Sequence, residues 1–143
     1  MPSVHDVAQY ILEKGRPVTA MKLQKLAYYS QAWHIVWVGE TLFDEEIKAW
    51  VLGPVVTELY ELHRGKFLID AWPTGDSTNL SAEQKESIDS VVDYYGKMNA
   101  QQLSDLTHSE APWIDARKGL GPTERGEVVI TPQALEEFYS ALQ

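Results

Sequence analysis

Between Ala20 and Val38 the sequence is apolar around most of a helical circumference, and this one segment limits the architectures open to the chain. Leu23, Leu26, Ala27, Trp33 and Trp37 share one face, while Met21, Tyr28, Tyr29, Ala32 and Val36 cover much of the rest. A surface helix needs only one apolar stripe, so a helix of this kind is expected at the centre of something. Lipid is excluded as the surrounding medium, because Lys22, Gln24, Lys25 and Gln31 break the run that a membrane span of about 20 apolar residues would require. The remaining solution is a central helix wrapped by the rest of the chain, started by a Thr19 cap and ended at Gly39.

The flanking segments can supply the wrapping. Ser3 caps a first helix to Lys14, with Val4, Val7, Ala8, Ile11 and Leu12 on one stripe, stopped by Gly15 and Pro17. Ser81 with Gln84 forms a capping box for a helix to about Tyr95, whose Ile88, Val91, Val92 and Tyr95 follow the i, i+3, i+4, i+7 pattern. Asn99 with Gln102 opens a short helix through Leu103 and Leu106, and Pro112 begins a further turn with Trp113 and Ala116. Thr131 and Pro132 start a C-terminal helix with Leu135, Phe138, Tyr139 and Leu142 on one side.

Less regular stretches lie between these. Glu46 to Val51 alternates as a strand does, Gly53-Pro54 turns the chain, and a helix from about Val55 to Arg64 follows with Leu59 and Leu62 inward. Residues 66–80 carry Pro73, Gly75, Asp76, Ser77 and Asn79, and read as a surface loop. Residues 119–126 read as a flexible link, after which Val128 to Ile130 pairs with the 46–51 strand as a ribbon. At 143 residues the whole chain, 1–143, is read as one domain: mainly α, a compact helical bundle of six or seven helices with at most a small two-stranded β-ribbon.

Composition narrows function. The chain has no cysteine, so disulfides, thiolate metal sites and cysteine nucleophiles are excluded. The first residues lack a basic region followed by an apolar run, so a cytoplasmic protein is expected. A net charge of −9 opposes binding to phosphate backbones and favours encounter with a basic protein surface. A helix-turn-helix reading of the first two helices has Lys14, Arg16, Lys22 and Lys25 in its favour, but the second helix is too apolar to read DNA.

Catalytic signals are weak. No two of His5, His34, His63 and His108 have the i, i+4 spacing of a helical metal site, so no metal or cofactor is expected. The acidic groups Asp44-Glu45-Glu46 and Glu58 with Glu61 read as solvated edges. Gly119-Leu120-Gly121 lacks the context of a phosphate cradle. A hydrolase built on His108 with Asp105 or Glu110 is a competing reading, with Ser109 beside it. What stands out instead is a surplus of aromatics, five Trp and seven Tyr, the residue types that anchor protein interfaces.

The run Met21-Lys22-Leu23-Gln24-Lys25-Leu26-Ala27-Tyr28-Tyr29-Ser30-Gln31-Ala32-Trp33-His34 resembles the Panacea antitoxin domain, also described as GepA-like or SocA-like. So do Leu42 to Trp50, Gly53-Pro54-Val55-Val56 with Leu59-Tyr60, Leu103 to His108, Pro112-Trp113 and the Ile130-Thr131-Pro132 helix. The resemblance spans about residues 5–140. It implies a phage- or prophage-associated bacterial protein without catalysis, encoded beside a toxin that it neutralises by direct contact. The family's toxins are diverse, alarmone-synthetase-type ones among them, and one branch is similar to an adaptor that delivers its toxin to an ATP-dependent protease. An operator-binding autoregulator is the remaining alternative. The signature residues here are Lys22, Gln24, Lys25, Tyr28, Trp33, Trp50, Gly53, Pro54, Thr107, His108 and Trp113, expected as scaffold or partner contacts, and Trp72 on the 66–80 loop is a candidate partner contact.

Overall fold

A computed structural model describes residues 1–143 as seven helices and four short strands. The helices are α1 (Val4–Lys14), α2 (Ala20–Val38), α3 (Thr57–His63), α4 (Ala82–Tyr95), α5 (Ala100–His108), α6 (Ala111–Ala116) and α7 (Pro132–Ser140). The strands are β1 (Val18–Thr19), β2 (Ile47–Trp50), β3 (Gly53–Val56) and β4 (Leu68–Ile69), paired antiparallel as β1 with β4 and β2 with β3. The fold is mainly helical, as the sequence implies.

Helix α2 is the axis. Residues 23–32 are buried without a break, and α1, α4, α5, α7 and β3 pack around them. Each Leu removed from water there contributes about 2 kcal/mol. The caps that mark the helix starts in the sequence are in place: Thr19, Ser81, Asn99 and Thr131 each accept a backbone N–H from three residues on. Gly39 takes the left-handed conformation, φ 86°, that ends α2.

A central helix with polar side chains must satisfy them, and two glutamines do so by holding backbone. Gln24 accepts the Val56 N–H at 2.8 Å and donates to the Val56 carbonyl at 3.1 Å, in place of a neighbouring strand. Gln31 accepts the Leu42 N–H at 2.6 Å and donates to the Phe43 carbonyl at 2.8 Å. The irregular 40–56 segment is thereby stapled to α2.

Several expectations are corrected. Gly53-Pro54 belongs to strand β3, so α3 starts only at Thr57, and Leu62 faces solvent. The principal partner of β2 is β3, in register from Ile47 with Val56 to Trp50 with Gly53. The expected pairing with 128–130 is also present, on the other edge of β2: Lys48 bridges Val129, with the Ala49 N–H on the Val128 carbonyl at 3.1 Å and the Ile130 N–H on the Ile47 carbonyl at 2.8 Å. Residues 119–126 form no free link, because the buried Arg117 guanidinium donates to the carbonyls of Gly121, Glu124, Arg125 and Ala49.

The 66–80 segment is tied to α1. Gln9 accepts the Trp72 N–H and Asp6 the Asp76 N–H, at 2.8 and 2.9 Å. A β-carbon on Gly75 would meet the His5 carbonyl oxygen at 1.9 Å. Trp72 is only 4% exposed, with its indole N–H on His5 Nδ1, so it is a core residue and not an outward contact. Its burial follows from polar groups on α1 that fix the loop backbone above it.

Candidate partner-binding site

The signature residues fall into three groups. Around β3, the Lys25 side chain runs beneath Gly53, Nζ donating to the Pro54 carbonyl at 3.3 Å, and Gln24 holds Val56. Gly53 has φ 123°. Any other residue would be strained there, and its β-carbon would meet Lys25 Cε at 2.8 Å and Thr107 Oγ1 at 3.1 Å. Gln24 Nε2 also faces His63 Nε2 at 3.0 Å; since that amide nitrogen donates, the ring nitrogen accepts and the imidazole is neutral. Burial lowers the His63 pKa, in agreement.

The second group surrounds the end of β2. His108 directs Nδ1 at the Ser104 carbonyl, 2.6 Å, and Nε2 at the Val51 carbonyl, 2.8 Å, so both ring nitrogens are engaged by backbone. Trp113 packs against it at a tilt, centroids 4.1 Å apart, and donates its indole N–H to the Trp50 carbonyl at 2.7 Å. Asp105 is exposed and accepts from Gln101. Glu110 accepts from two tyrosines, and Ser109 donates to the Leu106 carbonyl. His108, Asp105, Glu110 and Ser109 therefore form no relay in which an acid orients the histidine toward a nucleophile.

The third group is an aromatic network on the C-terminal half of α2. Tyr29 and Tyr139 both donate to Glu110 Oε1 at 2.7 Å, and Tyr28 shares a hydrogen bond with Tyr139 at 3.0 Å. Tyr29 stacks on Tyr95 with centroids 4.0 Å apart, and the Trp33 indole donates to the Tyr95 hydroxyl at 2.8 Å. Burial raises the Glu110 pKa and pushes the tyrosines upward, Tyr95 to about 12. Of the remaining signature residues, Lys22 donates to the Gly96 carbonyl at 2.7 Å, fastening α2 to the end of α4. Apart from Trp50, whose buried indole N–H has no acceptor, the polar signature side chains make internal bonds.

Surface character appears where this network reaches solvent. Trp33, Trp37, Tyr94, Tyr95 and Leu142 line a cleft of about 480 Å³. Trp37 is 45% exposed, Tyr94 65% and Leu142 56%. Helix α4, which contributes Tyr94 and Tyr95 to the cleft, also exposes Glu83, Glu86 and Asp93 to solvent. His34 Nδ1 lies 2.8 Å from Ser87 Oγ, which holds the first half of α4 against the second half of α2. An apolar aromatic centre with an acidic border has the composition of a protein-binding patch for a basic partner.

Trp37 shares an apolar face with Leu23, Leu26, Ala27 and Trp33 in the sequence, and nothing in that pattern marks it as exposed. The exposure of Tyr94 has a signal in the sequence: it lies off the Ile88, Val91, Val92, Tyr95 stripe, so a helix buried on that stripe must expose it.

The sequence matches the family described as antitoxin SocA-like, Panacea domain, over residues 23–114. Among curated proteins it is similar to antitoxin SocA of Caulobacter vibrioides strain NA1000 / CB15N, 28% identical over 132 residues, covering 80% of this chain and 70% of that protein. No solved structure matches it.

Proposed function

Because the chain belongs to the SocA-like, Panacea-domain antitoxin family, we propose that it neutralises a cognate protein toxin by direct binding, with the Trp37–Tyr94 cleft at the centre of the contact and no chemistry of its own. Membership of an antitoxin family implies a toxin partner in general; the structural observation that supports the direct-contact reading is the exposed aromatic cleft with its acidic border. Most polar signature side chains are engaged in internal hydrogen bonds, which supports a toxin contact on the outer surface.

The physical requirement is modest. An inhibitor needs about 800 Å² of its own surface, with a few desolvated aromatic anchors at the centre. Trp37 and Tyr94 are such anchors, and a basic toxin surface would meet the carboxylates of α4. The DNA-binding reading has little support from the same surfaces: Lys25 is buried, Lys22 is bound to Gly96, and Lys14 is paired with Asp89 at 2.8 Å. No helix is long and apolar enough to cross a membrane.

Co-expression tests the proposal. Cells arrested by the toxin encoded beside this chain should resume growth when the chain is supplied, and should do so equally in a strain lacking ATP-dependent proteases. Protection that disappears in the protease-deficient strain would replace occlusion by delivery for degradation.

A further inference from the structure

A second cleft, of about 410 Å³, opens between the first turns of α2 and the β2–β3 hairpin. Residues 25 and 37 are about 18 Å apart along α2, so this cleft is separate from the aromatic one. We propose that it binds a small amphipathic anion: a carboxylate or phosphate carried on an apolar body the size of one or two rings.

Three observations carry this. The first is the charge of the lining. In a chain with 21 acidic and 12 basic residues, the eleven residues of this cleft include Lys25 and Arg125 and not one Asp or Glu. The second is the state of Lys25, 1% exposed, with no carboxylate in ion-pair range and one acceptor, the Pro54 carbonyl at 3.3 Å. An ammonium has three hydrogens to donate, and a buried one without a counter-ion is held at considerable expense. Burial lowers its pKa to about 8, which leaves it a cation at neutral pH.

The third is the wall. Arg125, which enters no ion pair, lies with its guanidinium carbon 3.9 Å from the centroid of the Trp50 ring at the mouth. Tyr60 packs edge-on to the same indole, centroids 4.8 Å apart. The Trp50 indole N–H is buried and has no acceptor. Two cations and the indole of Trp50 thus line a mainly apolar space of the size that small-molecule sites occupy. Inorganic anions would satisfy the charges and leave the apolar walls wet, whereas a neutral apolar molecule would leave Lys25 unpaired. An anion on a ring answers both.

The test needs only the isolated full chain and no toxin, so its outcome is independent of the antitoxin reading. Phenyl phosphate, indole-3-acetate and the neutral benzyl alcohol are titrated while the Trp50 indole resonance, assigned with Trp50→Phe, is followed by NMR. Both anions should bind with Kd below about 1 mM, and benzyl alcohol at least about tenfold more weakly. Lys25→Met should weaken the anions about tenfold and leave benzyl alcohol unchanged, and Arg125→Gln, on an exposed side chain, should give a smaller loss of the same sign. The proposal is overturned if the anions fail to bind the isolated chain, if benzyl alcohol binds as well as they do, or if, with Lys25→Met unfolded, Arg125→Gln has no effect.

Discussion

Lys25 fills the space that a β-carbon on Gly53 would occupy, its Cε 2.8 Å from that position, so a residue of the central helix and a glycine of the hairpin form one packing unit. Gly53→Ala would add both this clash and the strain of a non-glycine residue at φ 123°. We expect it to lower stability by about 2 kcal/mol or more in urea unfolding. Shortening Lys25 to Ala should relieve the steric part, so that the double variant is more stable than the two losses added together; strict additivity would show that the two residues do not share space.

Glu110 ties α2 to α7 by accepting from Tyr29 and Tyr139. Glu110→Gln keeps an acceptor and should change stability by no more than about 1 kcal/mol at neutral pH, while Glu110→Leu strands two buried hydroxyls at about 2–4 kcal/mol. Burial raises the carboxyl pKa above its ordinary value of 4.5, so the folded state takes up this proton before the unfolded state does. Wild type should therefore gain on the Gln variant as pH falls from neutral towards 4.5, measured by denaturant midpoints at each pH.

Lys25 gives the opposite sign. Its folded pKa, about 8, lies below the 10.5 of an exposed lysine, so the unfolded state binds the extra proton between those values. The penalty of the buried cation is full below about pH 8 and fades as pH rises towards 10.5. Lys25→Met should thus be more stable than wild type at pH 7, by up to roughly 3 kcal/mol, and the advantage should shrink by pH 9.5. An advantage that is constant with pH would mean that packing, not charge, separates the two proteins.

Trp72→Ala should act on stability alone. Its indole is buried against α1 and hydrogen-bonded to His5, so truncation should remove about 3–5 kcal/mol and lower Tm. A variant that remains folded at the assay temperature should bind the partner with unchanged affinity, as a titration against it would show.

Local chemistry made the helices legible in the sequence. Thr19, Ser81, Asn99 and Thr131 mark helix starts because a side-chain oxygen three residues before a free N–H is a local event. The hairpin is not legible locally, because Gly53-Pro54 has the same signature at a helix start as in a strand where Pro54 donates no hydrogen bond. The choice is made by Gln24, a residue distant in sequence that supplies the ladder bonds to Val56. The burial of Trp72 is hidden for a similar reason, since Gln9, Asp6 and His5 hold its loop down through contacts no spacing reveals. Helical periodicity showed that α2 is central, but not that its last turn emerges at Trp37.

The most direct measurement is the affinity of the purified chain for the toxin encoded beside it, compared with that of the Trp37→Ala/Tyr94→Ala variant after circular dichroism has shown the variant folded. Removal of the two anchors should weaken a one-to-one complex by at least about 100-fold and abolish rescue of growth. Unchanged affinity in the folded double variant, or the absence of any complex with the toxin, would contradict the account.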